Sequence, residues 1–194
     1  YSRTGTKVYL GEWASKGNKV ENALIEAAYL TNVERNADVV VMSSYAPLLA
    51  KKGHTNWNPD LIYFDNTSIS PTVNYYVQRA FGQNAGDEYI YSGLKVEGGR
   101  QIEERIDKSV VIDNKTGDII IKIVSLLPKD SKMNIDLDAE RLKGYGTTAE
   151  RLCMTKEDTS WDVKPKSDAL SSNYAVTLPA YSFTVIRIKK NQKK

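Results

Sequence analysis

The chain has 194 residues, which is long enough for one large domain or two small domains with a sizeable core. Charged residues make up 26% and hydrophobic residues 41% of the sequence, as in ordinary globular proteins. The net charge of +3 is small and dispersed, and its densest basic run is the tail at residues 189–194. We therefore expect a solvated tail and no nucleic-acid partner. No stretch approaches the length of a membrane span, so we expect no membrane partner.

Cys153 is the single cysteine of the chain. No intrachain disulfide can form, and a zinc site made of cysteines is excluded. Its neighbours Leu152 and Met154 favour a small buried hydrophobic side chain.

The first predicted strand lies within residues 7–14 and ends in one carboxylate, Glu12, which stands between Gly11 and Trp13. A carboxylate at the end of a buried strand is costly unless it lies at the mouth of a site, because an unpaired charge resists desolvation. Catalytic groups of α/β enzymes lie at the carboxyl ends of parallel strands, and Trp13 offers an aromatic face to a sugar ring. The alternative is that Glu12 is an edge-strand glutamate in solvent.

A helix over residues 19–35 follows, with apolar or small side chains at i, i+3, i+4 and i+7 spacing and Asn18 as the expected N-cap. The next strand, residues 38–44, is an unbroken apolar run typical of a strand that is buried on both faces. The helical crossover between the two strands predicts that they are parallel.

The loop after the second strand carries a second set of candidate site residues. Tyr45, Trp57 and Asn58 would lie at the same edge of the sheet as Glu12, and an exposed tryptophan beside an asparagine suits sugar binding. Tyr45 and Trp57 can instead be residues that anchor the loop. His54 is the only histidine and has no His or Cys partner nearby, so we predict no metal site.

A further helix is predicted over residues 72–81, with Ser70 as its cap and Pro71 at its first position. From residue 86 onward the pattern changes to seven short alternating segments that are separated by turn signals. Glu97, Glu103 and Glu104 are expected on a solvated face of this part. The fold class is therefore α/β plus all-β, with a β/α part over residues 1–85 and an antiparallel β-sandwich over residues 86–194.

Several segments together closely resemble the α-L-arabinofuranosidases of glycoside hydrolase family 51. The most specific are Tyr-Leu-Gly-Glu-Trp-Ala at 9–14, Glu-Arg-Asn-Ala-Asp-Val-Val at 34–40, Met-Ser-Ser-Tyr-Ala-Pro-Leu at 42–48 and Trp-Asn-Pro-Asp-Leu-Ile-Tyr-Phe-Asp at 57–65. The resemblance continues at 71–78 and reaches the last strand at 178–185. Many members carry Tyr or Phe where this chain has Trp13, and the acid itself is unchanged.

The resemblance implies a (β/α)8 barrel followed by a β-sandwich, with Glu12 as the nucleophile at the end of the seventh barrel strand. It also implies a retaining mechanism and no metal or organic cofactor. The acid/base glutamate of the family lies earlier than Glu12, and nothing in residues 1–11 supplies it. A barrel takes about 250 residues, so the chain has room for only the last two β/α units and is expected to be inactive alone.

The predicted activity of the parent protein is exo-acting removal of terminal α-L-arabinofuranosyl groups from arabinose-containing oligo- or polysaccharides such as arabinoxylan and arabinan. A homo-oligomer and a periplasmic or extracellular location are expected. Two alternatives stay open: a non-catalytic sugar-binding sandwich, whose main aromatic is Trp161, and a related barrel glycosidase such as a β-xylosidase or endoglucanase.

Overall fold

The computed structural model describes residues 2–95, 99–158 and 160–191. It divides into two compact units, Tyr1–Gln83 and Asn84–Lys194, a division two residues before the predicted one. Glu97 and the end of the basic tail, residues 192–194, lie outside the described residues. Within the described ranges, no helix has the length and apolar character needed to cross a membrane.

The first unit begins with a strand, a helix and a second strand. These are β1 (Val8–Trp13), α1 (Val20–Arg35) and β2 (Val40–Tyr45). The two strands pair in parallel, as the long helical crossover predicts. The helix agrees with the predicted span, and its buried face consists mainly of the apolar and small residues expected: Ala23, Leu24, Ala27, Ala28, Leu30 and Thr31.

Three short strands and a second helix complete this unit: β3 (Leu49–Lys51), β4 (Ile62–Phe64), β5 (Ile69–Pro71) and α2 (Val73–Gln83). β4 lies between the other two, parallel to β3 and antiparallel to β5. The second helix begins within one residue of its predicted start, but its predicted cap was wrong, because Ser70 and Pro71 pair with β4 and remain extended. Instead, the Thr72 hydroxyl accepts a hydrogen bond from the backbone N–H of Tyr75 at 3.3 Å.

The predicted N-cap of α1 was also wrong. Lys19 is the cap residue, and its backbone N–H donates to the Oδ1 atom of Asn22 at 3.2 Å. The Asn18 side chain is engaged elsewhere, since its Nδ2 atom donates to the carbonyl of Asp60 and to Oδ1 of Asn74. A tertiary contact therefore replaces the local cap.

The second strand is not buried on both faces. Val41 is 59% exposed and its neighbour Met42, which points to the other face, is 58% exposed. Within the described ranges β1 and β2 form a sheet of only two strands, which leaves part of each face open.

The second unit is an antiparallel two-layer structure. The elements are β6 (Glu88–Tyr89), α3 (Arg100–Glu103), β7 (Ile106–Asp113), β8 (Asp118–Ser125), β9 (Ser131–Asp136), β10 (Tyr145–Thr155), β11 (Lys166–Ala169), β12 (Asn173–Leu178) and β13 (Ser182–Lys190). One sheet has six strands in the order β11-β10-β13-β8-β7-β6, and the other pairs β12 with β9.

The two sheets share one hydrophobic core. Alternate residues of β8, such as Ile121 and Ile123, and of β12, such as Tyr174 and Val176, belong to the same buried cluster. Each layer thus covers the apolar face of the other, as the alternating segments predicted for a sandwich. The predicted strand over residues 88–94 is shorter, and β11 was not foreseen because its sequence lacks apolar alternation.

A polar contact also joins the two layers. Asp168 on β11 accepts a hydrogen bond from Nε of Arg151 on β10 and another from the hydroxyl of Tyr174 on β12, both at 2.5 Å. The Arg151 guanidinium and the Tyr174 hydroxyl hold the pKa of the Asp168 carboxyl below its usual range. This carboxylate therefore links an edge of the large sheet to the small sheet.

Candidate functional site

Glu12 lies at the carboxyl end of β1, one residue before the strand ends. In the parallel register it faces Ser44, and Trp13 faces Tyr45, so both strands end at the same edge. The register shifts between Leu10 and Glu12, an irregularity typical of strand ends that redirect a side chain. Glu12 is exposed, and its carboxylate has no side-chain hydrogen bond or ion pair among the described residues. An accessible carboxylate of this kind is available to a ligand.

Trp13 is a packed ring rather than an open platform. Its centroid lies 5.0 Å from that of Tyr29 on α1 and 6.0 Å from that of Tyr45 on β2. Its indole Nε1 atom is buried and has no acceptor among the described residues. The ring therefore joins the ends of both strands to the helix between them, and its half-buried state leaves part of it accessible.

Tyr45 ends β2 with a buried hydroxyl that also has no hydrogen-bond partner in the described part of the chain. Burial, together with the nearby negative charge of Glu26, raises the pKa of the Tyr45 phenol above its ordinary value. The phenol is therefore a neutral donor at physiological pH.

Sequence reasoning missed Glu26 of α1. It is only 1% exposed, and its Oε1 atom accepts two hydrogen bonds from Ser15, the residue two positions after Trp13. Burial raises the pKa of the Glu26 carboxyl, and the Ser15 hydrogen bonds offset part of this effect. One signal was available: the glutamate stands among Leu24, Ala27 and Leu30, on the apolar side of the helix.

Trp57 and Asn58 lie in the long loop between β3 and β4, and both are exposed. Trp57 is 72% exposed, which leaves its ring free for stacking on a ligand. Its backbone N–H donates to the Thr55 hydroxyl at 3.2 Å, and that hydroxyl lies 3.2 Å from Oδ2 of the buried Asp60. The loop thus has a fixed base and an open tryptophan.

Asn18 joins the loop after β1 to the loop that carries Trp57. Its Nδ2 atom lies 3.2 Å from the Asp60 carbonyl and 3.3 Å from Oδ1 of Asn74 on α2, and the Tyr63 hydroxyl donates to its Oδ1 atom at 3.4 Å. The structure therefore brings together Glu12, Trp13 and Tyr45 at the strand ends. Asn18 joins the loop after β1 to Asp60, which lies two residues after Asn58.

A cavity of about 330 Å³ in the first unit is lined by other residues, among them Arg3, Tyr29, Asn36 and Val40. None of the predicted site residues lines it. Among the described residues no three His, Cys, Asp or Glu side chains are grouped as a metal site, and His54 is exposed in the Trp57 loop.

In the second unit, Trp161 is not a surface platform. It is 1% exposed, and its indole N–H donates to the carbonyl of Thr155 at 2.9 Å. The aromatic on which the sugar-binding sandwich alternative depended is therefore part of the interior.

Comparison with models of protein families shows to which family this chain belongs. The model of the alpha-L-arabinofuranosidase C-terminal domain matches residues 11–182, which is most of the chain. The chain belongs to this family.

Relatives of this family differ in how much of the chain they match. An extracellular exo-alpha-L-arabinofuranosidase of Streptomyces chartreusis is 51% identical over 92 residues, 47% of this chain and 11% of its own length. Alpha-L-arabinofuranosidase 1 of Arabidopsis thaliana is 29% identical over 100% of this chain and 30% of its own length. The chain thus spans less than a third of either relative.

Solved structures agree in fold. An arabinose-bound GH51 α-L-arabinofuranosidase superposes with a TM-score of 0.83 and 26% identity, covering 98% of this chain and 34% of its own. The GH51 enzyme of Thermotoga petrophila has a TM-score of 0.75 at 14% identity, covering 94% of this chain and 43% of its own, and shows likeness of fold alone.

Proposed function

We propose that residues 1–194 serve as the carboxyl-terminal part of an exo-acting, retaining α-L-arabinofuranosidase, with Glu12 as the nucleophile. The observation that carries this proposal is the exposed Glu12 carboxylate at the carboxyl end of β1, within the segment that matches the arabinofuranosidase family. In α/β barrels this end of the strands carries the catalytic groups. In this proposal β1–α1 and β2–α2 are the last two β/α units of such a barrel.

The reaction proceeds in two displacements. Glu12 attacks the anomeric carbon of a terminal arabinofuranosyl group while a second carboxylic acid protonates the departing glycosidic oxygen. Water, deprotonated by that second carboxylate, then attacks the same carbon and releases Glu12 and arabinose with retained configuration. The second carboxyl group belongs to another part of the protein, about 5–5.5 Å from Glu12 as retention requires.

Trp57 and Asn58 are proposed to contact the sugar, because the open ring can stack on it and the amide can bond its hydroxyls. Trp13 and Tyr45 contribute the packed wall of the site at the strand ends. The proposed substrates are arabinosides of plant cell walls, such as arabinoxylan and arabinan. The relative named extracellular supports a location outside the cytoplasm. Homo-oligomer formation stays a prediction.

The test is Glu12→Gln in the full-length enzyme, assayed with an aryl α-L-arabinofuranoside. We expect kcat to fall by about 10⁴-fold or more, because the amide cannot form the glycosyl-enzyme. Glu21→Gln is the matched control, since Glu21 is an exposed glutamate of α1, and its activity is expected to equal wild type. A Glu12→Gln enzyme that keeps near-wild-type turnover would refute the assignment.

A second measurement tests retention. In Glu12→Ala, added azide can occupy the space of the lost carboxylate, displace the leaving group and give an arabinosyl azide of inverted configuration. Azide rescue with this product supports Glu12 as nucleophile, whereas an unrescued enzyme with an intact fold contradicts it. Residues 1–194 alone are expected to show no Glu12-dependent hydrolysis.

A further inference from the structure

Glu26 is the least exposed carboxylate among the described residues, at 1%. It lies on α1, among the residues that make up the buried face of the helix. Burial of a carboxylate is costly unless hydrogen bonds replace its hydration. If this position only packed against apolar neighbours, leucine or alanine would stabilise the helix more than a buried carboxylate does. We therefore infer that the carboxylate has another role.

One oxygen of Glu26 binds the chain directly after β1. Its Oε1 atom accepts the backbone N–H of Ser15 at 3.0 Å and the Ser15 hydroxyl at 2.8 Å. Ser15 is three residues beyond Glu12, so this contact fixes the point at which the strand leaves the sheet. Without it, the Ser15 N–H would lose its acceptor in a partly buried position.

The other oxygen of Glu26 lies in a region where several polar atoms lack partners. The Oε2 atom, the Tyr45 hydroxyl and the Trp13 Nε1 atom are all buried with no hydrogen bond among the described residues. They come from α1, from the end of β2 and from the end of β1, respectively. Tyr45 and Asn74 both lie near enough to Glu26 to stabilise its charged form. Unpaired buried polar groups are rare in native proteins, so three of them at the ends of these elements call for an explanation.

We propose that Glu26 is a positioning residue, which holds the end of β1 through Ser15, so that the Glu12 carboxylate keeps a fixed place. This inference rests on the proposed function of Glu12 for its effect on catalysis. The contact between Glu26 and Ser15 is independent of that function and can be tested separately.

The kinetic test uses Glu26→Ala and Glu26→Gln in the full-length enzyme. We expect Glu26→Ala to lower kcat by about 100-fold, as a displacement of about 1 Å does, with KM within about threefold. The Glu26→Gln amide oxygen can accept both bonds from Ser15, so this variant should keep kcat within about tenfold of wild type. Rescue by glutamine distinguishes positioning from a merely structural role, which would reduce the folded fraction and leave kcat per folded molecule unchanged.

Ser15→Ala gives a milder variant should Glu26→Ala fail to fold. It removes the 2.8 Å hydroxyl bond to Glu26 and a longer 3.5 Å contact with the Asn22 carbonyl, and it leaves the backbone bond in place. It is expected to lower kcat by about three- to tenfold without changing KM. In the Glu26→Ala background the same change should have no further effect, because the contact is already lost. Full additivity of the two changes, or a Ser15→Ala enzyme with wild-type kcat, would overturn the proposal.

A direct readout does not require activity. In the full-length enzyme, the Ser15 amide proton should be protected from hydrogen exchange, and Glu26→Ala should raise its exchange rate at least about tenfold relative to Glu21→Gln. If Glu12→Gln loses activity and Glu26→Ala keeps the wild-type kcat, the positioning role of Glu26 is refuted and the proposed function of Glu12 is not. Normal activity of Glu12→Gln would refute the proposed function, and the Ser15 exchange rate would still decide whether Glu26 holds the strand end.

Discussion

Trp13 packs its ring against that of Tyr45, with 6.0 Å between centroids, at matching positions of the two parallel strands. The contact ties together the ends of β1 and β2 directly beside Glu12. Trp57, by contrast, extends from its loop with most of its surface exposed. The two tryptophans therefore differ in what their loss should change.

Trp13→Ala should reduce the free energy of unfolding by about 2 kcal/mol, since the ring is half-buried and a fully buried aromatic ring corresponds to about 3–5 kcal/mol. Trp57→Ala should change it by less than about 0.5 kcal/mol, because the ring contacts little of the protein. Urea unfolding followed by far-UV circular dichroism measures both. Equal effects of the two substitutions would contradict the packing role of Trp13.

Asp168→Asn should destabilise the second unit by about 1–2 kcal/mol at pH 7, because a charged acceptor shared by Arg151 and Tyr174 is lost. The folded pKa of Asp168 is lowered, so its contribution is present above the unfolded value of about 3.9 and disappears as the pH falls through the folded pKa. Urea unfolding at pH 7 and near pH 2 measures the change.

The control for Asp168 is Glu150→Gln on the neighbouring strand. Glu150 pairs with Lys189 at a more exposed position, so its loss should cost less than about 0.5 kcal/mol. If the difference in the free energy of unfolding between wild type and Asp168→Asn were the same near pH 2 as at pH 7, the charge of the carboxylate would not be the cause of the stabilisation.

Gly86→Ala should destabilise the second unit by about 1–3 kcal/mol. A Cβ atom at this position would lie 2.6 Å from Cβ of Val111 and 2.8 Å from the carbonyl oxygen of Ile112, both in β7. Gly93→Ala is the matched control, because a Cβ there meets nothing within 4 Å. Thermal unfolding compares the two variants, and an equal melting temperature would contradict the predicted clash.

Cys153 should react slowly with a thiol reagent in the folded protein. Burial raises the pKa of its thiol, and the side chain is half-buried on β10 with the Thr184 hydroxyl 3.5 Å from its sulfur. The thiolate is the reactive form, so we expect at least about a tenfold lower rate with a disulfide reagent at pH 7 than in denaturant. Equal rates in both conditions would contradict this.

The elements that rest on local patterns were predictable. The helical spacing from Ala23 to Thr31 depends only on neighbours in sequence, and α1 appears where it was expected. The apolar segment with Ile119, Ile121 and Ile123 likewise identified a strand that contributes to the core, although every residue of β8 is buried and the segment does not alternate. The prediction that Asn18 caps α1 was wrong because its side-chain amide donates hydrogen bonds to Asp60 and Asn74, which are more than 40 residues away. A local sequence pattern does not include such distant partners.

The sequence by itself determined the two-part organisation, the parallel pairing of the first strands, the sandwich and the candidate Glu12, because periodicity, turn residues and the family motifs all act over short stretches. Only the tertiary structure decided that Trp13 packs while Trp57 stands open, that Trp161 is interior, and that Glu26 holds Ser15. Burial and hydrogen-bond partners depend on groups from distant parts of the chain. Residues of the same type, such as the three tryptophans, therefore have different roles that are set only when the fold brings those groups together.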